Sequence, residues 1–214
     1  MRAPKQFILH VIGFFVVFQI TSAQTWTQTE AIPGCKWTSI ASSADGTKLV
    51  AVINDPQEYL DALSGIYIST NSGNSWSQYN APGAAWSSVA SSADGTKLVA
   101  VIDSSVAGPN IACGIYTSTN SGILWYPTSA PTNRWISVAS SADGTKLVAV
   151  ATGDTSDNPP PIYSSTNSGA TWVQDNSPSN RWESVASSAD GSILVAAAYH
   201  GPGTVNSRDR KSVV

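Results

Sequence analysis

Three cations stand at one repeated address in this chain. Lys36, Arg134 and Arg181 each come immediately before a tryptophan, at Trp37, Trp135 and Trp182, while Ala85 precedes Trp86. Cations gathered this way can receive a carboxylate or a sulfate, because charge-assisted hydrogen bonds to such oxygens are the strong ones. The structural alternative is that each aliphatic stem covers its tryptophan and leaves the charged head in water, with some cation-π attraction. Acids gather in the same parts of the sequence, at Asp55, Glu58, Asp61, Asp103, Asp154 and Asp157. Paired carboxylates can hydrolyse glycosides and oxygen clusters can hold calcium. No Asp-x-Asp-x-Asp-Gly run occurs, so solvated loop acids are expected, with no metal and no cofactor. His10 and His200 are the only histidines, which leaves almost no material for a histidine-based triad or a His/Cys zinc site. No catalytic residue is assigned. Cys35 and Cys113 are the only cysteines; an oxidising compartment would permit a bridge between them, and two partly buried thiols are the alternative.

The elements that must position these residues are repeated. The sentence Trp-x-Ser-(Val/Ile)-Ala-Ser-Ser-Ala-Asp-Gly-(Thr/Ser)-x-Leu-Val-Ala begins at Trp37, Trp86, Trp135 and Trp182, at spacings of 49, 49 and 47 residues. A period of about 40 to 50 residues made of short strands and turns is the mark of a β-propeller blade, a four-stranded sheet that must stack on its neighbours to bury its faces. Within the second copy, Trp86-Ser-Ser-Val-Ala-Ser-Ser reads as an inner strand and Asp94-Gly95 as a hairpin turn. The second strand is Lys97 to Ile102, the third Gly114 to Ser118, and Leu124-Trp125-Tyr126 opens the fourth. The equivalent turns are Asp45-Gly46, Asp143-Gly144 and Asp190-Gly191. Blades are expected near 37–80, 86–129 and 135–176, with a partial one at 182–200. This strand order puts the Asp-Gly turns on one rim and the variable connections 54–64, 103–113, 152–161 and 199–203 on the other. Binding residues usually ride on such variable loops.

Between the third and fourth strands a second motif recurs: Ser69-x-Asn71-x-Gly73-x-x-Trp76, Ser118-x-Asn120-x-Gly122-x-x-Trp125 and Ser165-x-Asn167-x-Gly169-x-x-Trp172. It resembles the Asp-box of the sialidase-like BNR repeat family, Ser-x-Asp-x-Gly-x-Thr-Trp, and the resemblance runs from Thr25 to about Tyr199. The resemblance implies a structural brace. Ser and the acidic residue bond local backbone, Gly takes the positive φ, and Trp packs between sheets. Here Asn stands at the Asp position in every box, which keeps an acceptor oxygen and removes the charge that a cation site would use. A sialidase of this family needs an arginine triad, a Tyr/Glu nucleophile pair, an acid/base Asp and an Arg-Ile-Pro-like motif. This chain has Arg134 and Arg181 as the only arginines in its repeats and no Arg-Ile-Pro. The resemblance therefore points to the non-enzymatic branch, which includes photosystem II stability and assembly factor-like proteins.

The flanks differ from the repeats. Arg2 and Lys5 precede an apolar run over residues 7–20, and Thr21-Ser22-Ala23 supplies small residues for cleavage. At 14 residues the run is shorter than a membrane span, so 1–23 is expected to be a secretory signal and the mature chain to be extracellular, with no remaining membrane span. Without residues 1–23, nine Lys+Arg face fourteen Asp+Glu, a net charge of −5, which disfavours nucleic acid as a partner. The fourth copy loses its pattern after His200, and residues 201–214, polar and basic, are expected to be disordered or loosely attached. Open blade edges at the two ends of an arc of about three and a half blades would favour self-association; a closed four-bladed ring is the alternative. The expected function is a secreted, non-catalytic scaffold that binds a glycan or protein partner. The alternatives are a sialidase-like glycoside hydrolase and an assembly factor for a membrane complex.

Overall fold

The computed structural model describes residues 35–54, 65–79, 81–103, 114–152, 161–178 and 180–198. The expected signal 1–23, the tail 201–214 and nearly all of the variable connections lie outside the described residues.

Each copy of the repeat builds one antiparallel sheet in chain order. The first blade holds β1 (Trp37–Ser42), β2 (Leu49–Ile53), β3 (Ile66–Ser69) and β4 (Ser77–Tyr79). The second holds β5 (Trp86–Ser91), β6 (Leu98–Ile102), β7 (Ile115–Ser118) and β8 (Tyr126–Pro127). The third holds β9 (Trp135–Ser140), β10 (Leu147–Ala151), β11 (Tyr163–Ser165) and β12 (Val173–Gln174). The fourth sheet has two described strands, β13 (Trp182–Ser187) and β14 (Leu194–Ala198). No described helix is long and apolar enough to cross a membrane.

The innermost strands β1, β5, β9 and β13 pack on one another in succession, which arranges the sheets as an open arc of propeller blades. The second strands of the two inner blades are continuously apolar because they are covered on both faces. All of β6 and β10 is buried, between the blade before and the blade after. Trp86 and Trp135 are fully buried, and each meets a tyrosine of its own third strand edge to face: Tyr116 at 5.4 Å and Tyr163 at 5.5 Å. The box tryptophan joins the same cluster, with Trp125 lying 6.4 Å from Trp86. These aromatic groups fill the space against the preceding blade, with Val50, Ile66 and Ile68 facing Trp86, Tyr116 and Trp125. Trp37 repeats the arrangement with Tyr67 and Trp76 at the first blade.

Each first strand carries a bulge just after its tryptophan. The register with the second strand shifts between Trp37 and Ser39, Trp86 and Ser88, and Trp182 and Ser184, and at Val150/Ala151 opposite Trp135 and Ser137. A bulge re-aims the side chains beside it. Here it turns the Thr38 and Ser87 hydroxyls across the blade boundary, where they donate to the carbonyls of Trp86 and Trp135 at 2.7 Å.

Candidate functional site

On the rim of the Asp-Gly turns, every repeated polar residue has a bonding role. In the third blade the buried Ser141 hydroxyl donates to Asp143 Oδ1 at 2.6 Å and accepts from the Lys146 N–H at 3.0 Å. The same carboxylate accepts from the Thr145 N–H at 2.9 Å and from the Thr145 hydroxyl at 2.8 Å. These bonds favour the ionised form, Ser141 most strongly, and lower the Asp143 pKa to about 2. Asp45 is likewise lowered to about 2 by Ser43 and Thr47, and Asp94 and Asp190 lie well below the usual range for the same reason. Each of the four repeated aspartates is thus held as a carboxylate and bonded to a hydroxyl of its own turn, at Ser43, Ser92, Ser141 and Ser188.

The turns are also tied to one another. Ala44 N–H donates to the Ala93 carbonyl, Ala93 to Ala142 and Ala142 to Ala189, each at 2.7 Å. Lys48, Lys97 and Lys146 reach across to the next turn, their Nζ atoms donating to the carbonyls of Asp94, Asp143 and Asp190 at 2.9 Å. Deeper in the sheets, Ser39, Ser88 and Ser137 hydroxyls accept the N–H groups of Val89, Val138 and Val185. Reading the sequence alone misses the lysine latch, although lysine recurs at this position in three copies and gives way to Ile193 in the fourth.

The three Asn-containing hairpins occupy the same rim. Ser69 Oγ donates to Asn71 Oδ1 at 2.9 Å and accepts from the Gly73 N–H at 2.8 Å, while Asn71 Oδ1 accepts from the Ser75 N–H at 2.9 Å. Ser118, Asn120 and Gly122 repeat this pattern, as do Ser165, Asn167 and Gly169. The Asn71 and Asn167 amides also donate to the hydroxyls of Ser75 and Thr171, a bond for which a carboxylate has no hydrogen. The residue before each glycine, Ser72, Ser121 or Ser168, adopts a φ of 57–59°, an uncommon value for a residue other than glycine. Its N–H is held by the Thr47, Thr96 or Thr145 carbonyl of the neighbouring turn. Trp125 is buried, and Trp76 and Trp172 are half-buried. The indole nitrogens of all three are buried without a hydrogen-bond partner, so the rings act by packing.

The opposite rim carries the three cations. Lys36, Arg134 and Arg181 occupy equivalent positions at the entrance to β1, β9 and β13, and the first and third of them are exposed. Arg134 is drawn into an ion pair across the blade boundary: its Nε donates to Asp103 Oδ1 at 3.1 Å, with the two side chains 28% and 18% exposed. Asp103 is fixed by its own N–H, which donates to the Ala85 carbonyl. The corresponding residues of the first and third blades are Asn54 and Thr152, so the acid is particular to the second blade. Asp55, Glu58, Asp61, Asp154 and Asp157 lie outside the described residues. So does Cys113, and with it the Cys35–Cys113 pairing. Cys35 is partly buried near Tyr67, whose hydroxyl pKa is raised by burial and, secondarily, by the nearby thiol. Among the described residues, no group of three His, Cys, Asp or Glu side chains is placed to hold a metal.

No protein-family model matches the chain, and no curated protein sequence matches it. Solved structures do. The GH74 enzyme of Niastella koreensis aligns with a TM-score of 0.57 at 20% identity over 77% of this chain and 26% of its own. An ancestral GH74 enzyme gives 0.56 at 16% identity, over 78% of this chain and 24% of its own. A chain of a nidogen/laminin complex gives 0.57 at 13% identity, over 78% of this chain and 58% of its own. The chain thus spans about a quarter of the length of the GH74 enzymes. At these identities the likeness shows the propeller fold alone.

Proposed function

We propose that this chain is an exported, non-catalytic propeller scaffold of the BNR-like kind, which binds a glycan or protein partner through the loops of its variable rim. The observation that carries this reading is the unequal use of the two rims. The repeated Ser, Asp, Thr and Lys side chains of the Asp-Gly rim are engaged in hydrogen bonds within and between blades. The connections that differ most in length and sequence between copies follow the second strands, and the cations Lys36, Arg134 and Arg181 stand on the rim opposite the Asp-Gly turns. A rigid base with variable loops is how a binding surface is built on a repeat scaffold.

The test is solid-phase binding of the full chain to a defined panel of sulfated, carboxylated and neutral glycans and of extracellular matrix proteins. A variant with Lys36→Ala, Arg134→Ala and Arg181→Ala is run in parallel, alongside assays for hydrolysis of a fluorogenic sialoside and of a β-glucan. Saturable binding that the triple variant weakens at least tenfold, without turnover, is expected. Turnover of either substrate overturns the non-catalytic reading in favour of a hydrolase, and co-purification with a membrane complex would favour an assembly factor. Export rests on the order of basic and apolar residues in 1–23, and an N-terminus at Gln24 in protein recovered from culture medium checks it.

A further inference from the structure

The second blade departs from its neighbours along its outer hairpin. After the box glycine the first blade reads Asn74-Ser75-Trp76-Ser77-Gln78 and the third Ala170-Thr171-Trp172-Val173-Gln174, whereas the second reads Ile123-Leu124-Trp125-Tyr126-Pro127. Trp125 is turned inward against the first blade. The residues around it are turned out: Ile123 is 53% exposed, Leu124 42% and Tyr126 59%. Three large hydrophobic side chains thus stand in water side by side, and residues 114–128 carry no charged group.

The backbone that holds them is already satisfied. The N–H groups of Asn120 and Gly122 donate to Ser118 Oγ at 3.4 and 2.9 Å, and that of Ser121 donates to the Thr96 carbonyl at 2.9 Å. The Ile123 N–H donates to the Asn120 carbonyl at 3.4 Å and the Leu124 N–H to Asn120 Oδ1 at 3.0 Å. These consecutive donors need no water, which is the condition for backbone to enter a medium that cannot hydrogen-bond. The outer edge is blunted as well. Thr128 N–H points inward to the Ile115 carbonyl, so the preceding residue of the strand would point its own N–H outward, and that residue is Pro127, which has none. Gln78 and Gln174 stand at this place in the other blades.

We propose that the outer hairpin of the second blade is a membrane-docking loop, with Ile123, Leu124 and Tyr126 entering the interfacial layer of a lipid bilayer. Area decides between a bilayer and a protein. Three part-exposed side chains offer no more than a few hundred Å², against about 800 Å² per partner in a stable protein–protein interface, and Pro127 works against an added strand. A bilayer needs no shaped counterpart: aliphatic side chains partition below the headgroups and tyrosine sits at their level. Because the hairpin carries no charge, nothing ionic is desolvated and zwitterionic lipid suffices. Val173, at the position of Tyr126 in the next blade, is 63% exposed and repeats the apolar exposure one blade further on. The hairpin stands on the Asp-Gly rim, so this site is independent of ligand binding by the variable rim.

The probe is phosphatidylcholine vesicles, and the measurement is flotation of the full chain with them through a density step. Flotation is expected to be similar at low salt and at about 1 M salt, where charge attraction is screened. Ile123→Asn, Leu124→Ser and Tyr126→Ser together give the second hairpin the residues of the first, and this hairpin variant should float at least fivefold less. The first blade forms the same box with those residues, so the fold should persist. If it does not, the reverse graft of Asn74→Ile, Ser75→Leu and Ser77→Tyr decides the matter, since it should raise flotation. Ile40→Ser, at a residue 63% exposed in the first blade, should leave flotation unchanged. The proposal is overturned by absence of flotation, by equal flotation of the hairpin variant, or by an equal loss in Ile40→Ser, which would show unspecific adhesion. Flotation that requires anionic lipid and vanishes at high salt also overturns it, and assigns the contact to the cations. A dimer that the hairpin variant splits, measured by sedimentation, would give the hairpin to a second copy instead.

Discussion

Leu98–Ile102 and Leu194–Ala198 occupy the same position in their sheets, with the sequences Leu-Val-Ala-Val-Ile and Leu-Val-Ala-Ala-Ala, yet the first is buried throughout and the second alternates between half-buried and exposed. The same contrast marks the other end of the arc, where Ile40 is 63% exposed and Val89, Val138 and Val185 at the equivalent position are at most 8% exposed. Burial in this molecule is therefore conferred by the neighbouring sheet. A blade is an amphipathic unit with two apolar faces, and its stability is largely an interface quantity, as expected of a quasi-one-dimensional repeat.

That view is most easily broken at the tryptophans. Trp135→Ala should destabilise by about 3–5 kcal/mol, the range for removing a buried large aromatic ring, because Trp135 is fully buried between two blades. Trp37 is only half-buried, and Trp37→Ala should cost roughly 2 kcal/mol, in proportion to the smaller area returned to water. Urea unfolding of the two variants checks the ratio. Equal losses would show that each blade is stabilised from within.

Gly46 and Gly144 sharpen the comparison at a finer scale. Both take φ near +70°, but a Cβ at Gly144 would lie 2.8 Å from the Lys97 side chain of the preceding blade, whereas at Gly46 it meets nothing within 4 Å. Gly46→Ala should cost about 1–2 kcal/mol for the backbone alone. Gly144→Ala should cost about 2–4 kcal/mol, since overpacking is added. Lys97→Ala in the Gly144→Ala background removes the Lys97 Cδ contact and leaves the Cβ contact, both at 2.8 Å, so it should recover part of the excess; no recovery would place the strain at the Cβ contact or within the turn.

The propeller architecture was legible because the period multiplies weak local signals: Asp-Gly turns and alternating strands mean little singly and a good deal four times over. The strands came out close to their expected bounds, with the second strand of the second blade beginning at Leu98 instead of Lys97 and its fourth at Tyr126 instead of Leu124. The contacts between blades were not legible. Lys48, Lys97 and Lys146 donate to backbone carbonyls 44 to 46 residues away, and a carbonyl acceptor leaves no side-chain signature. The αL serines before the box glycines were hidden for a related reason, since the Thr47, Thr96 and Thr145 carbonyls that hold them lie in a different turn. Of the cation set, the shared position before β1, β9 and β13 could be read directly. The Asp103–Arg134 pair could not, because it joins two blades at a position where the other copies have no acid.

Acid titration separates what each turn does alone from what its neighbour adds. Asp45 and Asp143 both have folded-state pKa values of about 2, set first by Ser43 and Ser141 within their own turns. Because these lie below the unfolded value of about 4, the ionised carboxylates stabilise the fold above about pH 4, and that contribution disappears as pH falls towards 2. Asp45→Asn and Asp143→Asn should therefore lower stability to a similar extent at neutral pH, with the deficit against the unaltered chain shrinking between pH 4 and 2. Urea midpoints measured across that window check it. A clearly larger effect at Asp143 would mean that the latch from Lys97 contributes to the turn as much as its own hydroxyls do.

The smallest effect concerns the variable rim, where the question is whether the cations act as a set. Arg134 and Asp103 are mostly but not fully shielded, so their coupling should reach the upper part of the range for surface pairs, about 0.5–1 kcal/mol. It should shrink on passing from 50 mM to about 1 M salt, where the screening length falls to roughly 3 Å. The measurement is a double-mutant cycle with Arg134→Met and Asp103→Asn. Methionine keeps apolar cover beside Trp135, so the cycle reports the charge pair and not the loss of packing. Lys36→Met and Arg181→Met, at exposed positions, should each change stability by less than about 0.5 kcal/mol. Coupling of the expected size assigns Arg134 to holding the second and third blades together and leaves any anion site to form around Lys36 and Arg181. Zero coupling at low salt, with an anionic ligand stabilising the unaltered chain but not Arg134→Met, would return Arg134 to the binding rim and make the three cations one site.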